Sequence, residues 1–93
     1  MGLEIGTLSD REKRIILAVA SGSMNMSSAQ DVAYRMGYRP ARSGTLACTK
    51  TLRSLEKRGI VGRLPPRDQW SSATWTLSRE TRAALELIRK KVG

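Results

Sequence analysis

Nine cationic side chains fall between positions 35 and 67: Arg35, Arg39, Arg42, Lys50, Arg53, Lys57, Arg58, Arg63 and Arg67, with Glu56 the one acid among them. Guanidinium and ammonium groups at this density gather anionic oxygens, and arginine's planar fork also matches the edge of guanine. Arginine outnumbers lysine twelve to five over the whole chain. Outside the block eight bases face seven acids, so most of the net charge of +9 sits in a third of the molecule. Such a one-signed block repels itself until a polyanion neutralises it, and nucleic acid is the expected partner. A merely solubilising surface is the bland alternative. An acidic lipid surface fits less well, because no amphipathic helix sets this charge opposite a broad apolar face.

Other chemistries lack their residues. The 93 residues include no His and one Cys, Cys48. The usual zinc sites, Ser-His and Cys-His nucleophiles and an internal disulfide are thereby excluded. Most of the eight carboxylates lie along helices beside bases, with no evident acid–base pair. The expectation is a non-enzymatic protein with no cofactor and no metal. The longest unbroken apolar run, Ile15 to Ala20, is six residues, against the roughly 20 of a membrane-spanning helix. No basic stretch followed by an apolar one opens the chain, so no membrane and a cytoplasmic, nucleoid-associated location are expected.

The elements that must position these cations are legible from caps and periodicity. Residues 1–8 form a lead-in, and 9–93 a single domain. Ser9-Asp10-Arg11-Glu12 is a capping box opening a helix to about Ser21, with Ile15, Ile16 and Val19 on one stripe and Gly22 as the stop. Residues 22–26 read as a loop. Ser27-Ser28-Ala29-Gln30 offers a second capping box, followed by Ala29, Val32, Ala33 and Met36 at helical spacing and a stop at Gly37. After the breakers Pro40 and Gly44, a third helix runs over about 43–58, burying Cys48, Leu52 and Leu55 and ending at Gly59. The period then changes. Ile60 to Leu64 reads as a strand, Pro65 to Gln69 as a loop tip, and Ala73, Trp75 and Leu77 as the buried side of a second strand. Ser78 caps a final helix over about 79–92, with Thr81, Ala84, Leu85, Ile88 and Val92 on one face.

Three helices, a β-hairpin over about 60–77 and a C-terminal helix make a mainly α fold with a small hairpin, in the order of a winged helix-turn-helix. In that arrangement the third helix enters the major groove and the hairpin, or wing, touches the flanking backbone or minor groove. With Cys48, Leu52 and Leu55 inward, Ser43, Lys50, Arg53, Ser54 and Lys57 project from the opposite side.

The run Leu52-Arg53-Ser54-Leu55-Glu56-Lys57-Arg58-Gly59-Ile60-Val61, a proline-interrupted basic loop, and Thr76-Leu77-Ser78-Arg79-Glu80-Thr81 together resemble the winged-helix regulators of the MarR and PadR type. Their pattern is Leu-x-x-Leu-Glu-x-x-Gly-Leu-Val, then a wing, then a Leu-Thr-x-x-Gly helix start. The resemblance spans about residues 43–85, and residues 9–42 only by element order. It implies a dimeric, sequence-specific DNA binder, usually a transcriptional repressor. MarR-type wings carry Asp-x-Arg where this one reads Arg67-Asp68.

For double-stranded DNA the residues divide by position. Lys50 and Arg53, one turn apart, are the expected base readers, Arg53 toward guanine. Thr49, Thr45 and Ser43 lie near the start of the same helix, where hydroxyls meet phosphate, with Thr49 also in reach of bases. Leu46 projects outward, toward a thymine methyl or back against the preceding turn. Arg39, Arg42, Lys57 and Tyr38 are expected on the DNA backbone, Tyr34 and Tyr38 through their hydroxyls. Arg63 and Arg67 belong to the wing, where an arginine at the tip enters a narrow minor groove. Trp70 packs under the wing or lies near sugar-phosphate, and Trp75 is core. Cys48 is an inert core thiol. Leu3, Ile5, Leu8 and Leu87 are spare apolar surface, pointing to a two-fold homodimer through the terminal segments. A DNA-organising or plasmid-partition protein that spreads on DNA fits the same features, and a winged helix facing an acidic protein partner is a third reading.

Overall fold

The computed structural model describes residues 5–22, 26–66 and 73–91. A 3-10 turn, Ile5–Thr7, precedes helix α1, Asp10–Ala20. Ser9 Oγ accepts from Glu12 N at 3.1 Å and Glu12 Oε1 accepts from Ser9 N at 2.8 Å, so the capping box is closed in both directions. Next come strand β1, Met26–Ser28, and helix α2, Ala29–Arg35. Helix α3 follows over Arg42–Lys57, then strands β2, Val61–Leu64, and β3, Thr74–Leu77, and helices α4, Arg79–Ala83, and α5, Leu85–Lys91. The fold is mainly helical, with a three-stranded antiparallel sheet in the order β1-β3-β2 that is not closed into a barrel.

The core forms where the helical stripes meet the inner face of the sheet. Ile15, Ile16 and Val19 of α1, Val32 and Ala33 of α2, and Cys48, Leu52 and Leu55 of α3 are all fully buried. Trp75 and Leu77 reach them from β3, with Val61 opposite Leu77 in register. Each large apolar side chain enclosed this way contributes about 1.5–3 kcal/mol relative to exposure. Helix α3 ends as its sequence requires. Gly59 takes φ +74°, its N–H donates to Glu56 O at 3.0 Å, and Ile60 N donates to Leu55 O at 3.0 Å. This pair of bonds satisfies the last carbonyls and turns the chain into β2, with the buried Ile60 and Leu55 closing the corner. Helix α2 ends on the same pair of bonds at Gly37.

Five sequence expectations need correction. Residues 26–28 are a strand rather than the end of a loop: Met26, Ser27 and Ser28 pair with Thr76, Trp75 and Thr74. Three residues carry too little alternation to announce a strand, and the pairing comes from β3 using its second edge. The cap of α2 is accordingly Ser28, whose Oγ accepts from Asp31 N at 3.2 Å. Ser27 is instead buried, and its hydroxyl donates to Val19 O at 3.1 Å.

Helix α3 begins at Arg42, one residue early, with Ala41 at its cap and no side-chain capping bond. The final helix breaks at Ala84 into α4 and α5. Its two halves have different anchors: Thr81 Oγ1 donates to Ile60 O at 2.8 Å beside β2, whereas Ile88 is buried on the segment packed against α1. Leu8, expected at a dimer surface, is 5% exposed and belongs to the core. As the residue before the Ser9 cap, it packs inward to fix the chain's entry to α1.

Candidate nucleic-acid interface

Helix α3 is amphipathic in charge as well as in hydropathy. With Cys48, Leu52 and Leu55 inward, the residues at spacings of three and four on the far side are Arg42, Leu46, Lys50, Arg53 and Lys57, and all five are exposed. At about 1.5 Å per residue this row runs roughly 22 Å along the helix. Arg42, Lys50, Arg53 and Lys57 make no ion pair or hydrogen bond among the described residues. The row is a line of uncompensated positive charge broken only by Leu46, which is 81% exposed and does not pack against the preceding turn.

The other cations of the basic block divide into committed and free groups. Arg35 Nη1 donates to Ser27 Oγ at 2.6 Å and to Ala18 O at 3.0 Å, tying α2 to the end of α1. Arg58 pairs with Glu12 at 3.1 Å and donates to Thr7 Oγ1 at 2.7 Å. Arg39 lies over the Tyr34 ring, 4.0 Å from its centroid, while Nη1 donates to Tyr34 O and Tyr38 O at 2.9 Å each. The guanidinium is thereby held at the α2–α3 turn, on a residue that remains exposed. Arg63, on β2, is exposed and has no partner among the described residues.

The neutral candidates are placed as follows. Ser43 Oγ donates to Pro40 O at 2.7 Å and Thr45 Oγ1 donates to Ala41 O at 3.3 Å, so both hydroxyl protons return to the first turn of α3. Thr49 is half-buried and makes no such bond among the described residues. Tyr38 is half-buried beside Gly44, and its hydroxyl accepts from Arg11 Nη2 at 3.4 Å. Tyr34 is 57% exposed. Arg67, Trp70 and Leu3 lie outside the described residues, and Ile5 is placed only as the first residue of the 3-10 turn. Leu87, at 49% exposure on α5, keeps the apolar surface expected of it.

A cleft of about 210 Å³ opens where α3, the start of α2 and the hairpin converge, with Arg53, Thr45 and Thr49 on one wall and Arg63 and Trp75 on another. No sequence periodicity announces it, because its walls come from four separate elements. A larger cleft of about 350 Å³ between α1 and α2 includes Arg14, Leu17 and Arg35 but no residue of α3. Among the described residues no three His, Cys, Asp or Glu side chains gather as metal ligands would, and no helix is long and apolar enough to cross a membrane. The Cys48 thiol is fully enclosed, and burial pushes its pKa up against the opposing pull of the Arg11 charge. A buried neutral thiol is a poor nucleophile.

Compared with models of protein families, with curated proteins and with solved structures, the chain matches none.

Proposed function

We propose that this chain is a winged helix-turn-helix protein that binds double-stranded DNA in a sequence-specific way, as a homodimeric transcriptional regulator. In this reading α2 and α3 are the helix-turn-helix pair, α3 enters the major groove, and the β2–β3 hairpin is the wing on the flanking backbone or minor groove. The observation that carries it is the uncompensated row of Arg42, Lys50, Arg53 and Lys57 on the outer face of the longest helix. An α-helix fits the major groove of B-DNA, and cations without internal partners bind phosphate without first breaking an ion pair. Leu46 at the centre of the row adds an apolar group able to touch a thymine methyl. The exposed Leu87 supports the dimer through the last helix.

Selection from a random duplex library at near-physiological salt, followed by sequencing, tests the proposal. The expected result is an enriched inverted repeat with half-sites about 10 base pairs apart, one helical turn. Tight binding without enrichment would replace it with a DNA-organising or partition role. Absence of binding would overturn it and direct the basic face toward an acidic protein.

A further inference from the structure

We infer that the cleft between α3 and the hairpin is a clamp for one phosphodiester of the bound duplex, closed by Arg53 from the helix and Arg63 from the strand. The inference rests on the DNA-binding reading and assigns a different chemistry to a residue expected to read a base. Thr45, Thr49 and Arg53 follow one another at four-residue spacing, a line on α3 that meets the outer row at Arg53 and runs from there toward the sheet. Arg63 stands opposite Trp75 in the β2–β3 register, so the two side chains share a face of the sheet. Trp75 is 2% exposed and forms the floor from which Arg63 extends over the cleft. Two residues ten positions apart, on a helix and on a strand, thus line one opening.

The chemistry of the walls favours a tetrahedral anion. No acidic residue lines the cleft. Neither arginine has an ion-pair partner among the described residues, so two like charges face one opening uncompensated. A phosphate relieves that repulsion, and each guanidinium presents parallel N–H donors matched to a pair of phosphate oxygens. The Thr49 hydroxyl and the exposed Gln30 amide add neutral donors at the rim. At about 210 Å³ the space is below the roughly 300–1,000 Å³ of pockets that enclose drug-sized ligands. A single phosphate group with water fits that size. Arg53 is then held at the backbone, and Lys50 and Leu46, farther out on the helix, are left to meet base edges.

Duplexes carrying the selected site, with one phosphate at a time replaced by an uncharged methylphosphonate, provide the test without altering the protein. Wild-type chain is expected to lose about tenfold or more in affinity at one phosphate per half-site. Arg53→Ala and Arg63→Ala should each weaken binding to a similar degree. Removing both arginines, which leaves that phosphate without a cation in each half-site, should lower the slope of log K against log salt by about 1.8 for the dimer, with base preference unchanged. In Arg53→Ala/Arg63→Ala the sensitive methylphosphonate should no longer matter. Relaxed preference at one base pair in Arg53→Ala, or a methylphosphonate effect that persists in the double variant, would overturn the clamp while leaving DNA binding intact. Failure of the wild-type chain to bind any duplex would remove the DNA-binding reading and the clamp with it.

Discussion

The ring of Tyr38 lies against the backbone of Gly44, so closely that a methyl group on Gly44 would overlap the ring. This contact seats the first turns of α3 on the end of α2 and sets the angle at which the cationic row is presented. Gly44→Ala is expected to force the two helices apart, at a cost of about 1–3 kcal/mol for overpacking. A lowered urea midpoint with an unchanged m-value checks it. The companion change Tyr38→Ala should restore part of the loss in Gly44→Ala, since it vacates the space the methyl needs.

Ser27 is the polar residue on which three elements meet. Its Oγ accepts from Arg35 at 2.6 Å and donates to Val19 O at 3.1 Å, inside a site where Ser27 is 3% exposed. Ser27→Ala should cost about 1–3 kcal/mol, because it leaves buried polar groups short of a partner. Ser43→Ala, which removes an exposed bond to Pro40 O, should stay within about 0.5 kcal/mol by the same denaturation measurement.

Arg58 and Lys50 separate folding from binding. Arg58 is engaged with Glu12 and Thr7, whereas Lys50 is unpaired among the described residues. Lys50→Ala should weaken duplex binding several-fold and leave stability unchanged. Arg58→Ala should leave affinity nearly intact and cost no more than about 1 kcal/mol of stability, since the pair is partly solvated and screened. Titrations by fluorescence anisotropy, beside denaturation curves, distinguish the two.

The Cys48 thiol should be protected in the folded chain and react with an aryl disulfide reagent only after denaturation. Burial holds its pKa above the ordinary 9.0, so the folded state keeps a proton that the unfolded chain releases. The stability linked to this group is complete below pH 9.0 and is lost as pH rises from there through the folded pKa. Urea midpoints should fall above that pH in the wild type. Cys48→Ala, measured across the same range, should show a shallower decline.

Leu87 offers a direct test of assembly. It is half-exposed on α5, and Leu87→Glu should shift the sedimentation of the chain from dimer to monomer without lowering its helical circular dichroism. A wild-type chain that sediments as a monomer at micromolar concentration would remove the dimer from the proposed function.

The three core helices and the hairpin strands were legible because their signals are local. Ser9 and Glu12 bond across a single turn, Gly59 stops α3 four residues after its last buried leucine, and Cys48, Leu52 and Leu55 repeat at the period of one helix face. The outward direction of Lys50, Arg53 and Lys57 follows from that same period, so the candidate face is legible in the sequence. The burial of Leu8 and Ser27 is not legible, for the opposite reason. An isolated leucine before a cap and a serine beside another serine have no period, and their burial depends on what the rest of the chain brings over them.

By itself, then, the sequence determined the first three helices, the two hairpin strands, the stripe that each of those helices buries, and that one third of the chain carries an excess of positive charge. Tertiary structure decided what each charge faces. Arg58 meets a carboxylate from a residue 46 positions away, Arg35 reaches the far end of α1, and Arg53 and Arg63 face one cleft from two elements. Hydrogen-bonded caps and helical periods act over about four residues. The neutralising or gathering of a charge depends on distance in space, which is defined only once α1, α3 and the sheet have packed.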